Sequence, residues 1–386
     1  MTKPNIILIN CDDLGYGDLG CYGSPLNKTP HIDRLASEGM KFTDFYMASP
    51  VCSPSRGAMM TGCYPPRIGF GDFEGLIVLF PGQGVGLHPN EKTIASQLKS
   101  ADYTTKIIGK WHCGDQQEFL PTNFGFDEYF GIPYSNDMGI QANYNPQIFP
   151  PLPLMRNNDV AQEQPDQRAL TKRYTTEACN FIENNCRQEN NDKPFFLYFA
   201  HMHVHVPIFV PKSFLNNSDN GGYGAAVEEI DWSTGMLMDK LEQLGLSDNT
   251  LIIFTSDNGS RARGEGGSNG PCRGHKGQTW DGGLRVPCIM RWPDRIMAGQ
   301  SNTEVSTAMD FFATLTHIAG AELPGDRFID SKNIYPLMTD TSAKSETDCF
   351  AYYSRNELQA VRCGDWKLHL WRKKEVVKEL YNLRDD

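Results

Sequence analysis

Asn5-Ile6-Ile7-Leu8-Ile9-Asn10-Cys11-Asp12-Asp13 is the stretch that decides the fold. Its apolar residues run without alternation, which predicts a strand covered on both faces. It ends in two adjacent carboxylates, which on their own mean a turn or a helix cap. The same grammar recurs three times. Lys106-Ile107-Ile108 precedes Gly109-Lys110-Trp111-His112, residues 195–200 precede a segment holding His201, His203 and His205, and residues 251–255 precede Ser256-Asp257-Asn258-Gly259. Open α/β sheets gather ligands outside the carboxyl ends of their strands, so these four polar clusters are expected to meet in one crevice.

Helices fit between the strands. Thr29 is placed to cap one, with Pro30 in its first turn and Gly39 after its last, and residues 91–98 and 174–185 predict two more. The clearest helical pattern is 225–244, where Val227, Ile230, Leu237, Leu241 and Leu244 recur at helical spacing and Gly245 supplies a stop. Residues 132–167 and 259–277, rich in Pro and Asn or in Gly and Arg, read as loops. Beyond about Ser345 the runs 350–353, 359–361 and 366–371 are strand-like. The expectation is an α/β sandwich over residues 1–345 and a small antiparallel-sheet subdomain over 346–386.

With 36 Lys and Arg against 47 Asp and Glu, the net charge of −11 disfavours nucleic acid as a partner. An anionic substrate would have to be met by a local cluster of cations. No apolar run reaches membrane-span length, and residues 1–10 read as a strand rather than a signal-peptide core. A soluble chain is expected, cytoplasmic if Met1 is the native start and periplasmic or secreted if a leader has been removed. Eleven cysteines without CxxC pairs indicate neither a zinc ribbon nor a disulfide scaffold. Cys179 and Cys186 could pair, but reduced burial is the expectation for most.

The most specific signal is Cys52-Ser53-Pro54-Ser55-Arg56, continued as Gly57-Ala58-Met59-Met60-Thr61-Gly62. Read from the residues alone, a Cys before Pro and Arg at a helix start is a candidate low-pKa thiolate, and a buried structural Cys is the bland alternative. The whole stretch resembles the signature of the type I sulfatases, whose Cys is oxidised after translation to formylglycine. Tyr22-Gly23-Ser24-Pro25, the segment 29–36, Gly109-Lys110-Trp111-His112, Gly267-Ser268-Asn269-Gly270-Pro271 and Trp280-Asp281-Gly282-Gly283 are similar to sulfatase segments in the same order. The resemblance is greatest to the N-acetylgalactosamine-6-sulfatase branch. Asp102 stands where the family usually has Gly at the opening of the Lys110 motif, a departure that bears on the entry turn. Residues 378–383 resemble a segment that in the family is followed by more chain.

The resemblance implies an alkaline-phosphatase-like fold and hydrolysis of a sulfate ester of a sulfated carbohydrate, such as 6-sulfated galactose or N-acetylgalactosamine, or of an aryl sulfate. It also implies a formylglycine-generating maturation enzyme as a partner. Asp12, Asp13, Asp257 and Asn258 offer hard oxygen donors that suit Ca²⁺ or Mg²⁺ better than zinc. Similarity to the family favours calcium, with modified Cys52 completing the ligand set. Arg56, Lys110, His112 and Lys276 would supply the cationic pocket. The implied roles are base for Asp257, base for sulfate release for His112, and proton donor to the leaving oxygen for His205 together with Lys276. His201, His203 and His205 alternate along an expected strand and would share a face, the rival arrangement for a zinc site. Two other readings stand beside this one: a phosphonate or phosphate ester hydrolase of the same superfamily, and a non-catalytic sulfoglycan-binding protein.

Overall fold

The computed structural model describes residues 3–140, 149–187, 193–372 and 375–385. Its strands are β1 (Asn5–Cys11), β2 (Met40–Phe42), β3 (Phe45–Tyr46), β4 (Thr104–Gly109), β5 (Glu128–Gly131), β6 (Pro153–Arg156), β7 (Asp159–Glu163) and β8 (Phe195–Ala200). They continue as β9 (Thr250–Ser256), β10 (Cys288–Arg291), β11 (Gln300–Asn302), β12 (Ser306–Thr307), β13 (Cys349–Ser354), β14 (Glu357–Cys363), β15 (Trp366–Arg372) and β16 (Glu375–Asn382). The α-helices are α1 (Pro30–Ser37), α2 (Cys52–Thr61), α3 (Ile94–Ser100), α4 (Leu170–Arg187), α5 (Lys212–Leu215), α6 (Gly221–Gln243), α7 (Asp281–Leu284), α8 (Asp310–Ile318) and α9 (Tyr335–Thr339).

A ten-stranded mixed sheet runs β11-β2-β10-β9-β1-β8-β4-β5-β6-β7. The four apolar runs are its central neighbours β9, β1, β8 and β4, all parallel, so their carboxyl ends lie along one edge. Each is buried on both faces. Ile6 and Leu8 enter one core with Met59, Leu98 and Phe311 from α2, α3 and α8. Ile7 and Ile9 enter the other with Leu35, Tyr174 and Ile230 from α1, α4 and α6. This two-sided covering is the sandwich expected, and it explains why the strands read as continuous apolar runs.

Several boundaries move for physical reasons. The helix expected over 91–98 starts only at Ile94, because Thr93 and Ser96 form a reciprocal capping box. Thr29 does not cap α1 with its side chain. Asp231, reaching across from α6, accepts from the amides of His31 (2.9 Å) and Ile32 (2.8 Å) instead. Within 132–167 the hairpin of β6 and β7 replaces part of the expected loop, and 141–148 lie outside the described residues. Asp102 is left-handed (φ 67°), which accounts for the glycine usual there and for the tolerance of Asp.

The C-terminal chain forms a four-stranded antiparallel sheet, β13-β14-β15-β16, whose last strand was not foreseen. It docks through Phe350, Tyr352 and Ala360 on Tyr46, Ala58 and Leu284, and through buried pairs of Arg362 with Asp44 (2.6 Å) and Lys367 with Asp281 (2.7 Å). Cys349 and Cys363, opposite each other on β13 and β14, form a disulfide that the sequence reading missed, while Cys179 and Cys186 are both free. Among the described residues no helix is long and apolar enough to cross a membrane.

Candidate active site

The strand ends bring the expected residues together. β1 delivers Asp12 and Asp13, β4 leads into Lys110 and His112, β8 into His205, and β9 into Asp257 and Asn258. Helix α2 starts at Cys52 against this edge, every one of its residues buried. Ligand atoms of Asp12, Asp13, Cys52 and His205 lie within 4.8 Å of one another. Cys52 Sγ is 3.4 Å from Asp12 Oδ1, and Lys276 Nζ stands 3.5 Å from that sulfur.

The charges form an interlocked set. Arg56 Nε donates to Asp257 Oδ2 at 2.8 Å, its Nη2 meets the same oxygen at 2.8 Å, and Nη1 donates to the Lys110 carbonyl at 3.0 Å. Lys110 Nζ pairs with Asp12 at 2.5 Å and donates to Ser135 Oγ at 3.2 Å. Lys276 Nζ pairs with Asp13 at 2.6 Å. Burial opposes ionisation of Asp12, but Lys110, His205 and Arg56 overcome it and hold that carboxyl well below the usual range.

Backbone geometry aims these groups. Asp13 and His112 are both left-handed (φ 61° each), and Asp13 N donates to Asp257 Oδ1 at 3.1 Å. Gly109 (φ 105°) turns the chain out of β4, where an added Cβ would fall 1.8 Å from the Ala200 carbonyl oxygen. The 259–277 segment returns Lys276 to the edge. Asn269 staples it, accepting from Ser260 N (2.8 Å) and donating to the carbonyls of Ser260 and Gly274 (3.1 Å each).

Two expectations are corrected. Cys52 is not a low-pKa thiolate: burial, then Asp12 and Asp257, push its thiol well up against Lys110 and Lys276, and the Arg56 guanidinium is turned toward Asp257. Nor do the three histidines share a strand face, because β8 stops at Ala200 and the chain turns, with cis peptides at His203-Val204 and Val206-Pro207. His201 packs edge-on against Phe199, His203 Nε2 faces Glu229 at 3.2 Å, and only His205, 3.8 Å from Asp13, reaches the acidic cluster. The zinc arrangement therefore does not form among the described residues.

Three participants escaped the sequence reading. Tyr198 Oη accepts from Asn10 and Arg56, Ser135 from Lys110, and the Leu79 carbonyl faces His112 Nε2 at 3.0 Å. A tyrosine inside the otherwise apolar run 195–200 was the available signal for the first; a serine and a main-chain oxygen in loops carried none.

Donor chemistry fits a hard divalent cation. Asp12, Asp13, Asp257 and Asn258 all present oxygen, and Asn258 Oδ1 is buried without a hydrogen-bond partner, as an atom reserved for a cation would be. Together, the cations, the acidic cluster and the secluded Cys52 suit an anionic ester held beside a metal.

Comparison with known proteins agrees with this chemistry. A family model described as Sulfatase matches residues 4–321, and one described as N-sulphoglucosamine sulphohydrolase, C-terminal, matches 275–386. The chain is similar to N-acetylgalactosamine-6-sulfatase of Rattus norvegicus, 41% identical over 95% of this chain and 71% of that protein. It is 37% identical to steryl-sulfatase of Homo sapiens over 94% of this chain and 74% of the relative. Among solved structures, PsFucS1 sulfatase from Pseudoalteromonas sp. superposes with a TM-score of 0.89 at 29% identity, covering 99% of this chain and 84% of that one. The chain is thus a sulfuric ester hydrolase, and it belongs to the sulfatase family.

Proposed function

We propose that the chain removes sulfate from a sulfated carbohydrate, with 6-sulfated galactose or N-acetylgalactosamine as the favoured class and small aryl sulfates also accepted. Cys52 acts as formylglycine, made by a maturation enzyme, beside Ca²⁺ held by Asp12, Asp13, Asp257, Asn258 and the modified residue. The observation that carries this reading is the packing of Cys52 Sγ against Asp12, Asp13 and His205 with Lys276 Nζ at 3.5 Å. The similarity to N-acetylgalactosamine-6-sulfatase supports the sugar class. We assign residues 1–345 to the catalytic domain and 346–386 to the subdomain that backs it.

When present, the cation and the hydrated aldehyde supply charge stabilisation at the sulfate oxygens and an oxygen nucleophile. The chain's own groups do the rest. Lys110 and Lys276 add positive charge around position 52, and Arg56 fixes Asp257 where it can take the nucleophile's proton. His112 Nε2–H donates to Leu79 O, which leaves the buried Nδ1 lone pair as an acceptor for a proton. His205 Nδ1–H donates to Val206 O at 2.6 Å, leaving Nε2 to carry a proton toward the leaving sugar oxygen with Lys276.

Turnover of 4-nitrophenyl sulfate and of a panel of sulfated mono- and disaccharides tests the proposal. Cys52→Ala is expected to abolish sulfate release. Near-parental release by that variant would remove Cys52 from the mechanism, and failure on every 6-sulfated galactose or N-acetylgalactosamine substrate would remove the sugar assignment.

A further inference from the structure

We infer that the cleft between residues 271–285 and the C-terminal sheet is a second anion-reading site. It holds a further sulfate or carboxylate of the same glycan whose ester is cleaved at position 52. The inference rests on the proposed carbohydrate substrate, and it concerns residues outside the catalytic cluster.

The cleft encloses about 430 Å³, and Arg273, Trp280, Asp281, Arg285, Lys367 and Tyr381 are among its lining residues. That size suits a sugar ring with its substituents. Two of the three cations are already committed. Lys367 is bound to Asp281 at 2.7 Å, and Arg285 to Asp44 at 3.0 Å. Arg273 differs: among the described residues no carboxylate lies within ion-pair distance of it, in a chain whose net charge is −11.

Arg273 is nevertheless held in place. Its guanidinium carbon sits 3.9 Å from the centroid of the Trp280 ring, and Trp280 packs in turn against His369, ring centroids 4.0 Å apart. Nη1 donates to Tyr381 Oη at 3.4 Å, whose own hydrogen goes to Glu379 at 2.7 Å. Stacking fixes the plane of the fork and leaves further N–H groups for a ligand. A fixed planar fork matches the paired oxygens of a sulfate or carboxylate, and its entropy cost has been met before the ligand arrives. Pro271, Leu383 and the aromatic edges add apolar surface for the C–H face of a sugar.

Position ties the cleft to catalysis. Arg273 precedes Lys276 by three residues, so their Cα atoms are at most about 11 Å apart. An oligosaccharide with one sulfate at Lys276 can present the anionic group of a neighbouring unit to Arg273.

The test compares a 6-sulfated chondroitin tetrasaccharide, its desulfated counterpart and 4-nitrophenyl sulfate on the matured enzyme and on Arg273→Ala and Arg273→Lys. In Arg273→Ala, KM for the sulfated tetrasaccharide is expected to rise about tenfold more than KM for 4-nitrophenyl sulfate, as loss of a charge-assisted fork predicts, with kcat held. Arg273→Lys, which keeps charge without the fork, should recover only part of that difference. Equal losses on both substrates would make Arg273 a brace for the Lys276 loop and overturn the site, as would no loss on either. Calorimetric titration of Cys52→Ala protein, with and without Arg273→Ala, with the two tetrasaccharides reads the cleft independently of turnover, and unchanged affinity for both on loss of Arg273 overturns the inference. Absence of aryl sulfate turnover by the parent enzyme counts against the mechanism proposed at Cys52 and leaves the calorimetric comparison decisive for the cleft.

Discussion

Arg56 shows how far a local motif can be read. Its spacing from Cys52 was legible in the sequence, and so was its place in the cationic pocket. Its partner was not, because Asp257 lies 201 residues away and the pairing exists only once α2 meets the end of β9. Arg56 is 1% exposed. Removing its side chain leaves a buried carboxylate without its guanidinium, so Arg56→Ala should lose about 3–5 kcal/mol in urea unfolding. Arg56→Lys, which keeps the charge but not the fork, should lose less. A second ion pair sets a pH dependence. Burial resists ionisation of Glu177, but hydrogen bonds from Arg156 and Lys106 hold its carboxyl down to about 2. The unfolded state therefore binds this proton at higher pH than the folded state does. The stabilisation is complete above about pH 5 and is lost as the pH falls toward 2. Glu177→Gln should be less stable than the parent by roughly 1–2 kcal/mol at pH 7, with the gap narrowing below about pH 4.5 and closing only as the pH falls to about 2.

At the scale of elements, continuous apolar runs gave away β1, β4, β8 and β9, and with them the edge where the candidate site residues gather. Strands that bury little were not readable. All five residues of β7 are exposed, and Val376 and Leu380 of β16 are 62% and 60% exposed, so neither strand shows an apolar face in its sequence. The three-histidine segment misled for the opposite reason: its alternation imitates a strand, but the chain leaves the sheet at Ala200. Close approaches between elements are equally silent in a single sequence. Gly109→Ala would place a methyl group 1.8 Å from the Ala200 oxygen at a left-handed residue. It should cost at least about 2 kcal/mol in unfolding and lower kcat by displacing Lys110. Asp231→Ala would take the acceptor from two amides at the start of α1, for an expected loss of about 1–2 kcal/mol by the same measurement.

For the molecule as a whole, the acidic balance correctly demanded a local concentration of cations, and the fold supplies it from four distant segments. The disulfide between Cys349 and Cys363 was hidden because a separation of 14 residues across an unrecognised hairpin register leaves no spacing signature. Loss of the proposed Ca²⁺ would leave several carboxylates facing one another, so a chelator should lower the unfolding midpoint and added Ca²⁺ should restore it. A chelator-insensitive midpoint in metal-loaded protein would argue against the assigned ligand set. Cys52 is 2% exposed, whereas Cys186 is free and exposed. Brief iodoacetamide treatment of unmodified protein should label Cys186 and spare Cys52, with both labelled in urea, as read by peptide mass spectrometry. That seclusion dictates a calendar. An enzyme that must grip the thiol to oxidise it can do so only while the ribbon is still slack, before β1 and α2 close over it. The proposed conversion of Cys52 then belongs to the birth of the polypeptide, and a molecule that folds too soon is locked out for good.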